Sequence, residues 1–197
     1  VMCQTQRDRA AEAAAGTGDE GALIGAGFMS ERGVEHDGRT SIGHRLAGRE
    51  EAVPPPYWAY PWGGGAVLAR HLLDSPETVA RRRVLDLGAG SGLVAIAAAK
   101  AGAAAVTAVD VDANAIAAIG LNAAINGVDL VAVAADIIEA PPPEETDLLV
   151  VGDLFYDPAL ALRAMAFLRR CQTAGIEVLI SDPERAYLPL AQLKRIA

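Results

Sequence analysis

The sequence predicts an α/β fold built on a doubly wound parallel sheet. Two observations support this prediction. Short apolar runs alternate regularly with helical segments from Arg83 onward, and this alternation is typical of parallel strands joined by right-handed crossovers. Hydrophobic residues make up 52% of the chain but aromatic residues only 5%, a balance that favours helices packed on a parallel sheet over a β-sandwich.

The individual elements follow from these apolar runs and from the residues that end them. Five strands are predicted, at 83–87, 105–110, 130–136, 147–153 and 176–181. Helices are predicted at 66–75, 91–101, 113–126 and 157–171, with one more after the fifth strand. Ser91 and Asp112 are the expected N-caps of the second and third helices, and Pro158 stands in the first turn of the fourth.

The chain divides into two parts by composition. Residues 1–52 show no sustained helical or strand period and are predicted to form an irregular N-terminal arm, whereas 53–197 contain the regular alternation and form the predicted domain. A length of 197 residues is consistent with one domain of ordinary size.

Charge and cysteine content limit the classes of partner. The net charge of −8 is spread along the chain, so no nucleic-acid partner is expected, because phosphate binding needs clustered Lys and Arg. A basic protein segment or a cationic small molecule is compatible with it. Two cysteines and the lack of an apolar run near 20 residues predict a cytoplasmic protein without a membrane span, a disulfide framework or a metal site.

A glycine loop follows the first predicted strand. Gly88, Gly90 and Gly92 form the turn of the sequence VLDLGAGSG, where glycine allows a sharp bend and a close approach to a ligand. The spacing differs from the G-x-G-x-x-G of dinucleotide-binding proteins. Asp86, two residues before the loop, suits the ammonium group of a methionine moiety but would repel a pyrophosphate. The pattern favours S-adenosylmethionine, with a nicotinamide cofactor or a purely structural turn as alternatives.

Two more acidic residues end the next strands. Asp110 ends the second strand, where a carboxylate can accept hydrogen bonds from both hydroxyls of a ribose. Asp136 ends the third strand and can accept from an adenine amino group, with Ile137 against the ring. A turn-forming role is the alternative for Asp136.

These segments resemble a known family. The sequences VLDLGAGSGLVAIAAAKAGA, VTAVDVD, NAAING and GDLFYD look like the class I, seven-β-strand methyltransferases of lysine methyltransferase family 16. Within it, PPPYWAYPWGGGAVLARHLLD and SDPERAYLP are most similar to the group that methylates the electron-transfer flavoprotein β-subunit, whose bacterial members are often labelled nicotinamide N-methyltransferase-like. Ribosomal L11 methyltransferases share AIAAAKAGA and NAAING, but GDLFYD after the fourth strand favours family 16.

The resemblance implies a Rossmann-like methyltransferase sheet, S-adenosylmethionine as cofactor and a monomer. The family sheet usually ends in an antiparallel hairpin, which we expect this chain to lack. Asp153 and Tyr156 match the Asp-x-x-Tyr pattern of the family and would be catalytic residues that line the entry for the acceptor amine. Trp62 would border the cofactor, while Phe155 and Tyr187 would contact the substrate. Packing roles are the alternatives for Phe155, Tyr156 and Tyr187.

Three functions remain open from the sequence. The leading interpretation is an N-methyltransferase that acts on protein lysine, with the electron-transfer flavoprotein β-subunit as its candidate substrate. A small-molecule N-methyltransferase acting on a nicotinamide-like amine would use the same cofactor rim. A cofactor-binding domain without activity is the alternative outside the enzymes.

Overall fold

A parallel sheet forms the centre of the protein. The computed structural model describes residues 55–196 and, in addition, the strand pairing of Met2–Cys3. The strands run β1 (Met2–Cys3), β2 (Arg83–Leu87), β3 (Ala105–Asp110), β4 (Val131–Ala134), β5 (Leu148–Gly152) and β6 (Glu177–Ser181). Their order across the sheet is β1-β6-β5-β2-β3-β4, with every neighbouring pair parallel. The predicted α/β fold is thus confirmed, while the predicted arm over 1–52 lies outside the described residues apart from Met2–Cys3.

Within residues 55–196, four helices cover the two faces of the sheet. They are α1 (Gly63–Asp74), α2 (Leu93–Lys100), α3 (Ala113–Asn126) and α4 (Pro158–Thr173). Strand side chains alternate between the faces. Leu85 and Leu149 pack on the side of α4, whereas Val84 and Leu148 pack on the side of α1, α2 and α3. Because both faces are covered, the central strands read as nearly continuous apolar runs.

Two predicted helix features are wrong. Ser91 does not cap α2, which begins at Leu93 after Gly92; this glycine has φ 89° and provides no side-chain cap. The helix predicted after the fifth strand is replaced, within the described residues, by a single 3-10 turn, Leu190–Gln192. Pro183 and Pro189 are the physical reason, since each proline lacks a backbone N–H and disfavours helical backbone at the residue before it. No strand pair follows β6 in the described part of the chain.

Other termini agree with the sequence. Asp112 caps α3 by accepting from the N–H of Asn114 at 2.8 Å, and Gly127 ends that helix with φ 64°. Asp157 caps α4, with Pro158 in the first turn. Across residues 55–196, no helix has both the length and the apolar character needed to cross a membrane.

The first turn of α1 lies directly against the ends of β5 and β6. A Cβ on Gly64 would stand 2.5 Å from the carbonyl oxygen of Ser181, and one on Gly152 would stand 2.9 Å from the Cα of Gly65. Side chains at these positions would collide with backbone, so glycine is required for the approach. This packing explains why α1 begins at Gly63, three residues before the predicted start.

We expect Gly152→Ala to destabilise the protein because backbone of α1 would have to move. Overpacking of this kind typically costs about 1–3 kcal/mol. Gly63→Ala is the matched control, since a Cβ there meets nothing within 4 Å. Urea unfolding of the two variants measures the difference; equal free energies of unfolding for both would contradict the close packing.

Candidate active site

A cavity opens at the carboxyl ends of the central strands, where ligands bind in open α/β sheets. Its walls come from the segment before α1, the first turn of that helix, the β2–α2 loop and the end of β5. The lining residues are Trp58, Tyr60, Pro61, Trp62, Gly65, Asp86, Gly88, Ala89, Gly90, Ser91, Leu93, Val94, Gly152 and Asp153. The cavity therefore brings together five of the predicted site residues: Trp62, Asp86, Gly88, Gly90 and Asp153.

The glycine loop has the backbone that the sequence predicted. Gly88, Gly90 and Gly92 have φ values of 73°, 55° and 89°, which residues with a side chain adopt at a cost. A Cβ on Gly90 would also stand 3.2 Å from the carbonyl oxygen of Trp58. The loop thus meets the aromatic segment across the cavity, and Gly92 lies behind the wall against Ile119.

Asp86 is a buried carboxylate on β2. It is 1% exposed and accepts one hydrogen bond, from the N–H of Ala95 at 2.9 Å. Burial raises its pKa to about 7; the Ala95 N–H opposes this rise, and the charge of Asp110 adds to it. Asp86 is therefore poised to hold a proton near neutral pH and to release it when a cation arrives beside it.

Asp110 lies at the end of β3, next to the glycine loop. Its Oδ2 accepts from the N–H of Gly90 at 2.8 Å, and its Oδ1 accepts from the N–H of Asp112 at 2.9 Å. Each carboxylate oxygen can accept a second hydrogen bond. The side chain thus fixes the loop and keeps capacity for a further donor, although it is not part of the cavity wall.

Asp136 and Ile137 are not brought to the cavity. Asp136 lies two residues beyond β4, and its Oδ2 is 3.0 Å from the guanidinium of Arg163 on α4. This hydrogen bond and the N–H of Ile138 lower the pKa of the Asp136 carboxyl. Ile137 packs against the core on the α4 side. The adenine contacts predicted for Asp136 and Ile137 therefore stay a prediction.

Asp153 turns the chain at the end of β5. It has φ 58° and is 9% exposed. Its Oδ2 accepts from the N–H of Gly65 at 2.6 Å, in the first turn of α1, where the helix dipole favours negative charge. Its Oδ1 accepts from the guanidinium of Arg185, also at 2.6 Å. The carboxylate is thus held from two sides at the cavity wall.

Trp62 belongs to a small aromatic cluster at the mouth of the cavity. Its indole N–H donates to the carbonyl oxygen of Tyr57 at 2.9 Å. Ring centroids of Tyr57 and Tyr60 lie 6.3 Å and 5.9 Å from that of Trp62. All three side chains are exposed. The mouth is therefore open and aromatic.

The predicted substrate contact of Phe155 is wrong. Phe155 is 0% exposed and packs in the core between the sheet and α4, so it has no surface for a ligand. Tyr156, next to it, is 63% exposed, and Tyr187 is also exposed; neither lines the cavity. The pKa of the Tyr156 hydroxyl is raised by partial burial and then by the nearby charges of Asp157 and Asp110.

Sequence reasoning missed Arg185 and Asp182. Both lie in the SDPERAYLP segment, and Arg185 joins Asp182 to Asp153. An acid and a base three residues apart directly after a strand were the available signal. The glycines in the first turn of α1 entered the sequence analysis only as part of a longer pattern, although the N–H of Gly65 donates to Asp153.

Comparisons with known proteins identify similar methyltransferases. The family model described as ribosomal protein L11 methyltransferase (PrmA) matches residues 68–170. Electron transfer flavoprotein beta subunit lysine methyltransferases are 43% identical over 143 residues in Danio rerio, covering 72% of this chain and 55% of that protein, and 43% identical over 131 residues in Homo sapiens, covering 66% and 50%. The chain thus spans about half the length of these curated relatives.

Two solved structures share the fold. The ribosomal protein L11 methylase from Lactobacillus delbrueckii subsp. bulgaricus is 27% identical with a TM-score of 0.50, covering 60% of each chain. A 16S rRNA methyltransferase from T. thermophilus, solved with AdoMet and guanosine, is 28% identical with a TM-score of 0.53, covering 68% of this chain and 38% of that one. The curated relatives confirm the resemblance, and the solved structures confirm the Rossmann-like methyltransferase fold predicted from the sequence.

Because Asp86 is buried, its ionisation should lower the free energy of unfolding in a pH-dependent way, and Asp86→Asn should remove that loss. Unfolded Asp has a pKa of about 3.9, whereas folded Asp86 has one of about 7. Between these values only the folded state holds the proton, so the stability of the parent protein falls as pH rises. The advantage of the variant in free energy of unfolding should therefore grow by roughly 3–4 kcal/mol between about pH 4 and pH 8. Urea unfolding across this range measures it, and a difference that stays constant with pH would count against the prediction.

Proposed function

The chain belongs to the family described as ribosomal protein L11 methyltransferase, and from this premise we propose that it transfers the methyl group of S-adenosylmethionine to a protein lysine. The proposed substrate is the electron-transfer flavoprotein β-subunit, on which the curated relatives are named as acting. One observation carries the proposal: a single cavity joins the glycine loop and Asp86 to the carboxylate of Asp153.

The cofactor would lie along the ends of β2 and β3. Asp86 would receive the methionine ammonium, which replaces the proton that burial favours on this carboxyl. The glycine loop, Gly88 to Gly92, allows close approach of the cofactor, and Asp110 has capacity for the ribose hydroxyls. Trp62 would border the cofactor at the mouth. The adenine contacts of Asp136 and Ile137 stay a prediction.

The acceptor would enter beside Asp153. The lysine amine must be neutral, because its lone pair attacks the methyl carbon while the C–S bond breaks and its electron pair goes to sulfur. With a reference pKa near 10.4, deprotonation at neutral pH costs about 4–5 kcal/mol. Desolvation at the cavity lowers that cost. The carboxylate of Asp153 would accept a hydrogen bond from the amine and so orient it. The proton that the lysine ammonium loses before the attack would go to water.

An exposed aromatic mouth supports a protein substrate over a small molecule. Tyr57, Tyr60 and Trp62 are open to solvent, so a lysine on a protein surface can reach Asp153 from outside. Their faces can also attract the lysine while it is still charged, before it loses its proton. Tyr156 and Tyr187 remain candidates for acceptor contacts outside the cavity wall. A cytoplasmic location, a monomeric state and the absence of nucleic-acid partners stay predictions from the sequence.

Calorimetric titration with S-adenosylmethionine tests the cofactor site. We expect the parent protein to bind and Asp110→Ala to lose about tenfold or more in affinity, since a ribose contact and the Gly90 anchor are both removed. Asp112→Asn is the matched control, because it keeps the cap of α3 two residues away. Equal binding by Asp110→Ala would refute the ribose assignment, and absence of binding by the parent protein would refute the proposed activity.

Transfer of labelled methyl groups to purified electron-transfer flavoprotein tests the substrate. With unlabelled S-adenosylmethionine, mass spectrometry should show the β-subunit gaining about 14 Da per methyl on lysine. Asp153→Asn should lower the rate by about 10²-fold or more while S-adenosylmethionine still binds, because the orienting carboxylate is lost. Asp157→Asn serves as control, since an amide also caps α4. Methylation of nicotinamide and not of the flavoprotein would favour the small-molecule alternative.

A further inference from the structure

Three charged groups meet at the ends of β5 and β6. The Nη1 of Arg185 lies 2.6 Å from Oδ1 of Asp153 and 2.9 Å from Oδ2 of Asp182. The side chains of Asp153 and Asp182 are only 7% and 0% exposed, and that of Arg185 is 23% exposed. One cation thus compensates two buried carboxylates, at the wall where the acceptor would bind.

Arg185 is fixed in this position. Its own N–H donates to Oδ1 of Asp182 at 2.8 Å, so side chain and backbone are both tied to the same carboxylate. If the guanidinium moved away, Asp182 would be left as a buried charge without a cation, which is strongly unfavourable. Arg185 is therefore a permanent part of the wall rather than a group that an incoming lysine displaces.

The position of this cation bears on a difficulty of the proposed chemistry. A lone carboxylate beside a lysine stabilises its ammonium form, which cannot accept a methyl group. Arg185 offsets the charge of Asp153 and leaves lone pairs on the carboxylate as hydrogen-bond acceptors. The guanidinium also lies 5.9 Å from the ring of Trp62 at the mouth. The side chain of Arg185 thus links Asp153 to the aromatic side of the cavity.

We propose that Arg185 is a positioning residue for methyl transfer: it fixes the carboxylate of Asp153 and offsets its charge, so that the acceptor is held as a neutral amine. The proposal rests on the proposed function. Asp182 anchors Arg185 and does not touch the acceptor. A purely structural role, in which Arg185 only pins the loop after β6, is the alternative that the experiment must separate.

Steady-state kinetics on the electron-transfer flavoprotein provides the first test. Arg185→Met should lower kcat about 10–100-fold without raising KM for the flavoprotein, because the acceptor still binds but in its charged form. Arg185→Lys, which keeps the charge, should recover part of that loss. Arg70→Ala, in an exposed pair on α1, is the control. Two results together would overturn the proposal. The kcat of Arg185→Met would fall only as much as the fraction of protein that binds S-adenosylmethionine, and Arg185→Lys would recover none of the loss.

Thermal unfolding provides a second test that needs no substrate. Arg185→Met should lower Tm, and adding Asp182→Asn should raise it again, because the amide removes an uncompensated buried charge and its oxygen still accepts the backbone N–H of residue 185. In the parent protein the same Asp182→Asn should lower Tm. Additive effects would overturn the charge-compensating role. If the parent protein transfers no methyl to the flavoprotein, the proposed function fails. Thermal unfolding alone then decides whether Arg185 compensates the charges of Asp153 and Asp182.

Discussion

The backbone contact between the first turn of α1 and the end of β5 determines where most of the site lies. Gly65 approaches Gly152 so closely that a Cβ on Gly152 would stand 2.9 Å from the Cα of Gly65. The approach places the N–H of Gly65 on Asp153 at 2.6 Å, and it carries the preceding aromatic segment across the glycine loop. A helix start that glycine would ordinarily weaken is thus retained by packing on the sheet.

The two buried carboxylates of the cavity differ in how their charge is compensated. Asp153 receives a helix N–H and a guanidinium, so its charge is compensated by the protein itself. Asp86 receives one N–H and no cation among the described residues, and burial raises its pKa to about 7. A ligand cation would therefore gain much at Asp86 and less at Asp153. This asymmetry suits a charged methionine ammonium on one side and a neutral amine on the other.

The strands and most helix ends were predictable because each depends on local sequence. Strand β5 is a short apolar run, and Asp112 and Gly127 mark the two ends of α3. The start of α1 was not predictable, since three glycines oppose a helix and the contacts of its first turn with β5 and β6 join residues far apart in the chain. The Arg185 contact with Asp153 joins residues 32 apart in the chain, and spacing alone does not reveal such a pair.

Phe155 and Tyr156 show why a motif identifies residue types better than their orientation. The conformation of Asp153, with φ 58°, turns the chain as it leaves β5, and Phe155 then enters the core while Tyr156 faces solvent. A residue with a side chain adopts this conformation at a cost of about 1 kcal/mol or more. Glycine would avoid the cost but would leave Gly65 and Arg185 without their shared acceptor. The strain is therefore tolerated because it puts a carboxylate, rather than a bare backbone, at the cavity wall.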